Sequence, residues 1–202
     1  MIDTIVFDLG NVLVDFCWEK CFRELGYEGK EFEDLADATV RDDVWNQHDK
    51  GELSSDEILS LMIANNPAME SSIRDIYNHL AQMINPRDYA FDWIASLKKA
   101  GYKVYILSNF SKKCYEECTY QLDVIKNVDG VVFSFMEKLI KPDEKIYKIL
   151  FERYNIKPEN AVFIDDRADN IMTARSLGMT GIVFESKEQV EEDLNSLIGI
   201  RI

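Results

Sequence analysis

From about residue 86 onwards, short apolar segments alternate with longer amphipathic ones. The short segments are rich in Val, Ile and Phe, as β-strands are, and lie at 103–107, 130–133, 161–164 and 181–184. The longer segments repeat apolar residues at helical spacing and lie at 89–100, 111–122, 144–154, 168–177 and 187–197. Strands that alternate with such helices pair in parallel through right-handed crossovers. This part of the chain therefore predicts a doubly wound, Rossmann-like parallel α/β sheet with helices on both faces.

A further strand precedes this region, and a long helical stretch separates the two. Residues 2–7 are an apolar run typical of a parallel strand that is buried on both faces. Residues 18–83 carry helical patterns and no strand pattern, and Ser54 with Glu57 predicts the capped start of one helix. A chain of 202 residues suits one domain that carries an insertion. We predict an α/β core of residues 1–15 and 86–202, with residues 16–85 forming a helical cap.

Polar side chains follow the carboxyl ends of the predicted strands. They are Asp8, Ser108, Asn109, Asp165 and Asp166, joined by Lys141 from the loop before the helix at 144–154. In a doubly wound sheet these residues can converge, because ligands bind beyond the carboxyl ends of the strands. Carboxylate oxygens with room for water suit Mg²⁺, and a lysine ammonium suits a phosphate oxygen. The set predicts a site for a divalent cation and a phosphate group.

Four short motifs occur in order along the chain. They are FDLGNV at 7–12, ILSN at 106–109, KPD at 141–143 and VFIDDRADN at 162–170. In this order the chain resembles the haloacid dehalogenase superfamily, whose members are mostly phosphatases with an aspartate nucleophile, and the helical insertion resembles that family's cap. The stretches DLGNV at 8–12 and DKGELS at 49–54 are most similar to the subgroup that includes α-D-glucose-1-phosphate phosphatases.

The resemblance implies a magnesium site on the motif residues. Asp8 would be both the nucleophile and a metal ligand, and Gly10 would offer its backbone carbonyl. Asp166 would be the second carboxylate ligand. Asp165 would contact the metal through a water molecule or would contact the ligand residues instead of the metal. Asn170 would steady the acidic loop.

The same resemblance implies how a phosphoryl group is held. Ser108 and the backbone of Asn109 would bind it, and Lys141 would neutralise both that group and Asp8. Because a carboxylate anion must attack a phosphate dianion, charge cancellation by Mg²⁺ and Lys141 is the physical requirement of such chemistry. The expected reaction is Mg²⁺-dependent hydrolysis of a small phosphate monoester, a sugar phosphate being the favoured substrate, through an aspartyl-phosphate.

Gly10 departs from the pattern of most phosphatases of this family. They carry a second aspartate there, which protonates the leaving oxygen and then activates water, and glycine can do neither. Three interpretations stay open. The phosphatase chemistry persists with a good leaving group and with a cap residue or water as proton carrier, the protein is a haloacid dehalogenase, or it binds a phosphate or a partner without catalysis. The retained acids Asp165 and Asp166 count against a dehalogenase, which needs no metal. The candidate replacement groups are Asp15, Asp49, Glu52 and His48.

Aromatic and histidine side chains of the predicted cap have a simpler interpretation. Phe16, Trp18 and Trp45 are expected to pack within the cap or against the core rather than to hold substrate. His48 and His79 lack metal-ligand spacing, so packing or surface roles are favoured.

Charge and sorting signals limit the partners of this protein. The formal net charge of −14 argues against non-specific binding to nucleic acid or to an anionic membrane surface. No secretory signal or membrane-length apolar run is recognisable, and the 4 cysteines are expected as reduced thiols, which predicts a cytoplasmic protein. The expected partner is a small phosphorylated metabolite, and the sequence does not distinguish a monomer from a homodimer.

Overall fold

The computed structural model describes residues 1–198. Its strands are β1 Thr4–Phe7, β2 Val14–Phe16, β3 Ile84–Pro86, β4 Lys103–Ser108, β5 Gly130–Phe133, β6 Ala161–Asp165 and β7 Thr180–Val183. The central sheet is parallel and has the order β5-β4-β1-β6-β7. The chain starts at the middle strand, adds two strands on one side and then two on the other. This order confirms the predicted doubly wound sheet, with the reversal point beside β1.

Helices cover both faces of the sheet. The α-helices are α1 Trp18–Glu24, α2 Gly29–Ala38, α3 Asp43–Lys50, α4 Ser55–Asn65, α5 Glu70–Tyr77, α6 Ala90–Lys99, α7 Lys112–Glu117, α8 Ser134–Glu137, α9 Glu144–Tyr154, α10 Ala168–Ser176 and α11 Lys187–Ile198. Ile5 and Phe7 of β1 belong to one apolar cluster with α6 and α11, whereas Val6 belongs to another with α9 and α10. Alternate side chains of a strand therefore build the two cores. Among residues 1–198, no helix has both the length and the apolar character needed to cross a bilayer.

The helices α1 to α5 are inserted between β2 and β3, which pair antiparallel as a separate two-stranded ribbon. Residues Trp18 to Met83 contain only helices and their connections, as the sequence analysis predicted. The ribbon was not predicted. Strands of three residues are too short to show a period, so only the pairing of distant segments, such as Asp15 with Asn85, reveals them.

Capping residues explain several helix ends. Ser54 and Glu57 form the predicted capping box at the start of α4, in which each side chain binds the backbone of the other. Asp42 caps α3 by accepting from the Val44 N–H at 2.9 Å, and Gly51 ends α3 with a φ of 69°. Gly51 also packs closely on the core, since a Cβ there would lie 2.9 Å from the Phe135 Cα.

Two predicted helices are shorter than expected. Apolar residues at helical spacing predict one helix at 71–83, but this helix ends at Tyr77, and the helix predicted at 111–122 ends at Glu117. Short 3₁₀ helices continue the chain at Leu80–Met83 and Tyr120–Asn127, and others lie at Pro67–Met69 and Pro158–Asn160. At the end of α5, the His79 ring competes with the helix, because its Nδ1 lies 2.7 Å from the Asp75 carbonyl oxygen.

Candidate active site

The carboxyl ends of β1 and β6 bring three carboxylates together. Asp8 follows β1 directly, and its N–H donates to the Ile164 carbonyl of β6 at 2.8 Å. Asp165 is the last residue of β6, and Asp166 follows it. One carboxylate oxygen from each of Asp8, Asp165 and Asp166 lies within 4.8 Å of the other two. Neighbouring parallel strands therefore place at one edge the acids that the sequence analysis expected there.

Lys141 lies between two of these carboxylates. Its Nζ is 3.0 Å from Asp8 Oδ1 and donates to Asp165 Oδ2 at 2.6 Å, and the residue is only 3% exposed. The side chain of Asn109 holds the Lys141 backbone from both sides. Asn109 Nδ2 donates to the Lys141 carbonyl at 3.0 Å, and Asn109 Oδ1 accepts from the Lys141 N–H at 2.8 Å. Asn109 thus couples the lysine to the end of β4, which is more than the backbone role expected of it.

Burial and neighbouring charges shift the protonation of these groups. Burial raises the pKa of Asp8 to about 7; Lys141 opposes this shift, and the carboxylates of Asp165 and Asp166 add to it. Burial would lower the pKa of Lys141, but attraction to Asp165 and Asp8 outweighs burial, so its pKa is raised and the lysine is charged. One ammonium among three carboxylates leaves an excess of negative charge, which a divalent cation can compensate.

Asp165 and Asn170 form a hydrogen-bonded pair within the cluster. Asn170 Nδ2 donates to both Asp165 oxygens, at 2.9 and 3.0 Å, and the Arg167 N–H donates to Asp165 Oδ1 at 2.8 Å. Tyr147 donates its hydroxyl to the Asn170 carbonyl at 3.0 Å, which orients the asparagine in turn. With Lys141 as a further donor, both oxygens of Asp165 are engaged. Asp165 is therefore better placed to organise the cluster than to bind a cation directly.

The remaining oxygens suit a small, hard cation. Asn170 Oδ1 is buried and has no hydrogen-bond partner among the described residues, which leaves an oxygen ready for a water molecule or an ion. Asp8, Asp166 and Gly10 line the same cavity as Asn170. Mg²⁺ is bound in proteins by one or two carboxylates with several waters. The residues present therefore fit a hydrated Mg²⁺.

Asn11 shapes the loop after β1, a role that was not predicted from the sequence. Its φ of 56° is in the left-handed region, which asparagine tolerates better than most residues. Its Nδ2 donates to Asp166 Oδ2 at 3.0 Å, and its Oδ1 accepts from the Phe16 N–H at 3.2 Å. Asn11 thereby joins the loop after β1 to the acid after β6. The Gly-Asn pair at 10–11 signals a turn, but it does not reveal the partner.

A cavity of about 560 Å³ opens between the acidic sheet edge and the inserted helices. Its lining includes, from the sheet edge, Asp8, Gly10, Asn109, Lys141, Asp166 and Asn170, and, from β2 and the inserted helices with their connections, Phe16, Arg41, Trp45, Asn46 and Asp49. A volume of this size suits a small molecule. Ser108 lies behind this lining, is 1% exposed, and donates to the Asn109 carbonyl at 3.4 Å. Its contact with a phosphoryl group stays a prediction.

The aromatic residues divide between packing and cavity. Trp18 packs on Phe22 and Phe32, with ring centroids 5.3 and 5.5 Å away, in agreement with the packing role expected of it. Phe16 and Trp45 pack on each other with ring centroids 5.5 Å apart, and both line the cavity. The interpretation as packing residues was therefore incomplete for this pair, which also offers apolar surface to a ligand.

Comparisons with known proteins relate the whole chain to one family. Residues 2–178 match the family model described as haloacid dehalogenase-like hydrolase. The chain is 23% identical over 202 residues to drimenol cyclase drtB of Aspergillus calidoustus, and it covers 37% of that protein with 98% of its own length. It is 27% identical over 215 residues to D-ribitol-5-phosphate phosphatase of Bacteroides thetaiotaomicron, with 98% of this chain and 100% of that protein covered.

The fold is also that of a solved structure. A haloacid dehalogenase family enzyme from Bacteroides thetaiotaomicron, solved in complex with magnesium and inorganic phosphate, superposes with a TM-score of 0.73. The match covers 94% of this chain and 99% of that chain at 22% sequence identity. At this identity the likeness establishes the shared architecture of sheet and inserted helices.

Proposed function

Because the chain belongs to the haloacid dehalogenase-like hydrolase family, we propose that it is a Mg²⁺-dependent phosphatase of small phosphate monoesters. The observation that carries this proposal is the buried contact of Lys141 with Asp8, beside two further carboxylates at the same sheet edge. An acid cluster with one shared lysine suits a reaction in which negative charge must be cancelled.

Asp8, Asp166 and the Gly10 carbonyl would hold the metal ion. The hydrogen bonds to Asp165 leave it to orient Lys141 and Asn170, and the free Oδ1 of Asn170 would bind a water molecule of the metal. When bound, Mg²⁺ would stabilise negative charge on the phosphoryl oxygens.

The protein's own groups would carry the covalent chemistry. A carboxylate oxygen of Asp8 attacks phosphorus, the alcohol leaves, and an aspartyl-phosphate forms. Water then cleaves this acyl phosphate, which releases inorganic phosphate and restores the Asp8 carboxylate. Lys141, held by Asn109 and Asp165, would contact the phosphoryl oxygens, and Ser108 with the Asn109 backbone would complete their binding.

The inserted helices would act as a cap that sets the choice of substrate. Residues 16–85 supply one side of the cavity, so a bound monoester would be enclosed between them and the sheet edge. A sugar or polyol phosphate is the substrate we favour, because the DLGNV and DKGELS stretches resemble the α-D-glucose-1-phosphate phosphatase subgroup and a relative is a D-ribitol-5-phosphate phosphatase. All four cysteines are unpaired, which supports a reducing, cytoplasmic location.

Phosphate release tests the proposal. The purified protein is assayed on α-D-glucose 1-phosphate, D-ribitol 5-phosphate and p-nitrophenyl phosphate, with Mg²⁺ and after chelation. We expect release that requires Mg²⁺ and falls at least about 10²–10³-fold in Asp8→Asn. The exposed acid of α4 supplies the control Asp56→Asn, which should keep wild-type rates.

Two rival functions predict other results in the same assay. A haloacid dehalogenase would release chloride from 2-chloro acids without added metal. A non-catalytic binder would release neither phosphate nor chloride, while phosphate esters still protected it from unfolding. Either result would reject the phosphatase.

A further inference from the structure

The proposed phosphatase lacks a proton donor at Gly10. A sugar or alkyl alkoxide is a poor leaving group unless it receives a proton as the bond to phosphorus breaks. Resting on the proposed function, we propose that Asp49 of the inserted helix α3 is the general acid and base of this site.

Asp49 is the candidate replacement acid that reaches the cavity. It lies in the last turn of α3, is partly buried, and lines the cavity together with Asp8 and Lys141. Within residues 1–198 its carboxylate takes part in no hydrogen bond or ion pair, so it is free to meet a ligand.

The other candidates are engaged elsewhere. Asp15 accepts from Arg87 Nε at 2.7 Å, outside the cavity lining. Glu52 is exposed and lies 3.0 Å from Lys50 Nζ. His48 is 4% exposed and is enclosed between aromatic rings, with its Nε2 3.4 Å from the Tyr77 hydroxyl.

The remaining cavity acids also have partners. Asp42 caps α3 through Val44, and Asp43 accepts from the Asn46 side chain at 3.0 Å. Asp166 belongs to the proposed metal site. Among the described acids that line the cavity, Asp49 is thus the one whose carboxylate is neither in a hydrogen bond nor in an ion pair nor part of the proposed metal site.

The core holds the backbone of Asp49 in place. The hydroxyl of Ser134, at the start of α8, donates to the Asp49 carbonyl at 2.6 Å and accepts from the Phe110 N–H at 2.8 Å. Lys138 donates to the Gly51 carbonyl just beyond α3. These contacts attach the end of α3 to the loops after β4 and β5. An acid of the insertion is therefore positioned by the same sheet that positions Asp8.

The environment also favours a protonated Asp49. Burial raises the pKa of Asp49 to about 7, the negative charge of Asp8 adds to the shift, and Lys141 opposes it. A general acid works best with a pKa close to the working pH. A protonated Asp49 beside the leaving group is the form that the first step requires.

The two steps balance with one proton held by Asp49. In the first step, an Asp8 oxygen bonds to phosphorus, the bond to the leaving oxygen breaks, and that oxygen takes its electron pair and the Asp49 proton to leave as an alcohol. In the second step, the Asp49 carboxylate takes a proton from the attacking water. Inorganic phosphate is released, the Asp8 carboxylate is regenerated, and Asp49 is protonated again.

Leaving-group dependence tests this role. Asp49→Asn removes the proton and keeps the shape of the side chain. Nitrophenolate leaves without a proton, whereas a sugar alkoxide does not. We expect the initial turnover of α-D-glucose 1-phosphate or D-ribitol 5-phosphate to fall about 10²–10⁴-fold. On p-nitrophenyl phosphate, rapid mixing should show a burst of one nitrophenol per active site, then slow turnover, because the second step also lacks its base.

Glu52→Gln is the matched control, since it removes one charge from the same segment outside the cavity. It should retain wild-type rates on every ester, and thermal unfolding of both variants should show that they are folded. Two results would overturn the role of Asp49 and leave the proposed function standing. One is an equal loss of rate for Asp49→Asn on the sugar and aryl esters without a burst, and the other is a wild-type rate of Asp49→Asn on the sugar esters. A wild type that releases no phosphate from any ester would overturn the proposed function and this inference together.

Discussion

Gly10 determines which chemistry the sheet edge can perform without the inserted helices. Its carbonyl is available, but it has no side chain that could carry a proton. The position has room for one, because a Cβ at Gly10 would meet no other heavy atom within 4 Å and its φ lies outside the left-handed region. The absence of an acid at this position is therefore a matter of sequence and not of space.

Because Gly10 leaves room for a side chain, a carboxyl group introduced there should partly restore the activity lost in Asp49→Asn. In an Asp49→Asn background, Gly10→Asp should restore turnover of sugar phosphates by about tenfold or more, because the new carboxyl group lies beside Asp8. Steady-state kinetics on α-D-glucose 1-phosphate or D-ribitol 5-phosphate measures this. Gly10→Asn in the same background is the control of equal size without a titratable proton. Equal rates for the two double variants would show the prediction to be wrong.

At the scale of elements, α3 joins packing to the site. Asp49 lines the cavity, whereas the neighbouring His48 lies between Trp45 and Tyr77 of α5, with ring centroids 5.5 and 5.4 Å away. Burial lowers the pKa of His48 to about 4, and the charge of Lys113 adds to this shift. Of these two adjacent residues of α3, one therefore lines the cavity and the other packs in the interior of the inserted helices.

His48 predicts a loss of stability in acid. The unfolded chain binds a proton at His48 below pH about 6.5, whereas the folded protein does not until about pH 4. Stability present above pH 6.5 is therefore lost as the pH falls to 4, by about 3 kcal/mol in total. Urea unfolding at pH 7 and pH 5 should show a smaller decrease for His48→Gln than for wild type.

The exposed Leu61 of α4 supplies the control for this comparison. Leu61→Ala changes no titratable group and should keep the wild-type difference between pH 7 and pH 5. A His48→Gln protein whose stability fell as much as that of wild type would refute the assignment. The comparison of variants removes the contributions of other groups, such as the carboxyl groups with raised pKa, because they are common to all proteins measured.

At the scale of the whole molecule, Lys141 joins segments that are far apart in sequence. It contacts Asp8 after β1 and Asp165 of β6, and its backbone is bound by Asn109 after β4. Lys141→Met would leave two buried carboxylates without their cation. We expect unfolding by urea in the absence of Mg²⁺ to show a loss of about 3–5 kcal/mol.

The exposed pair of Lys148 and Glu144 provides the matched control. Lys148→Met should change stability by about 1 kcal/mol or less, because solvent screens exposed pairs. Added Mg²⁺ should recover part of the stability lost in Lys141→Met. Similar unfolding free energies for the two variants would contradict the central role given to Lys141.

The predicted fold agrees with the structure in segments where a regular spacing of apolar residues extends over many positions. Each strand of the central sheet and helices such as α9 and α4 were predictable from apolar spacing and capping residues. The ribbon of β2 and β3 and the early ends of α5 and α7 were not, because these features depend on contacts between distant segments. The same limit applied to the site: the acids and Lys141 were predictable, whereas the links made by Asn11 and Asn109 were not.

The sequence by itself determined the alternating strands and helices, the insertion after the first strand, and the polar residues that end each strand. These are local properties, since apolar periodicity and turn residues act over a few positions. The tertiary structure alone decided which polar atoms meet. It placed Lys141 between Asp8 and Asp165, and it brought Asp49 over the same cavity by attaching α3 to Ser134. Such distances depend on how the sheet twists and packs, and no short segment contains that information.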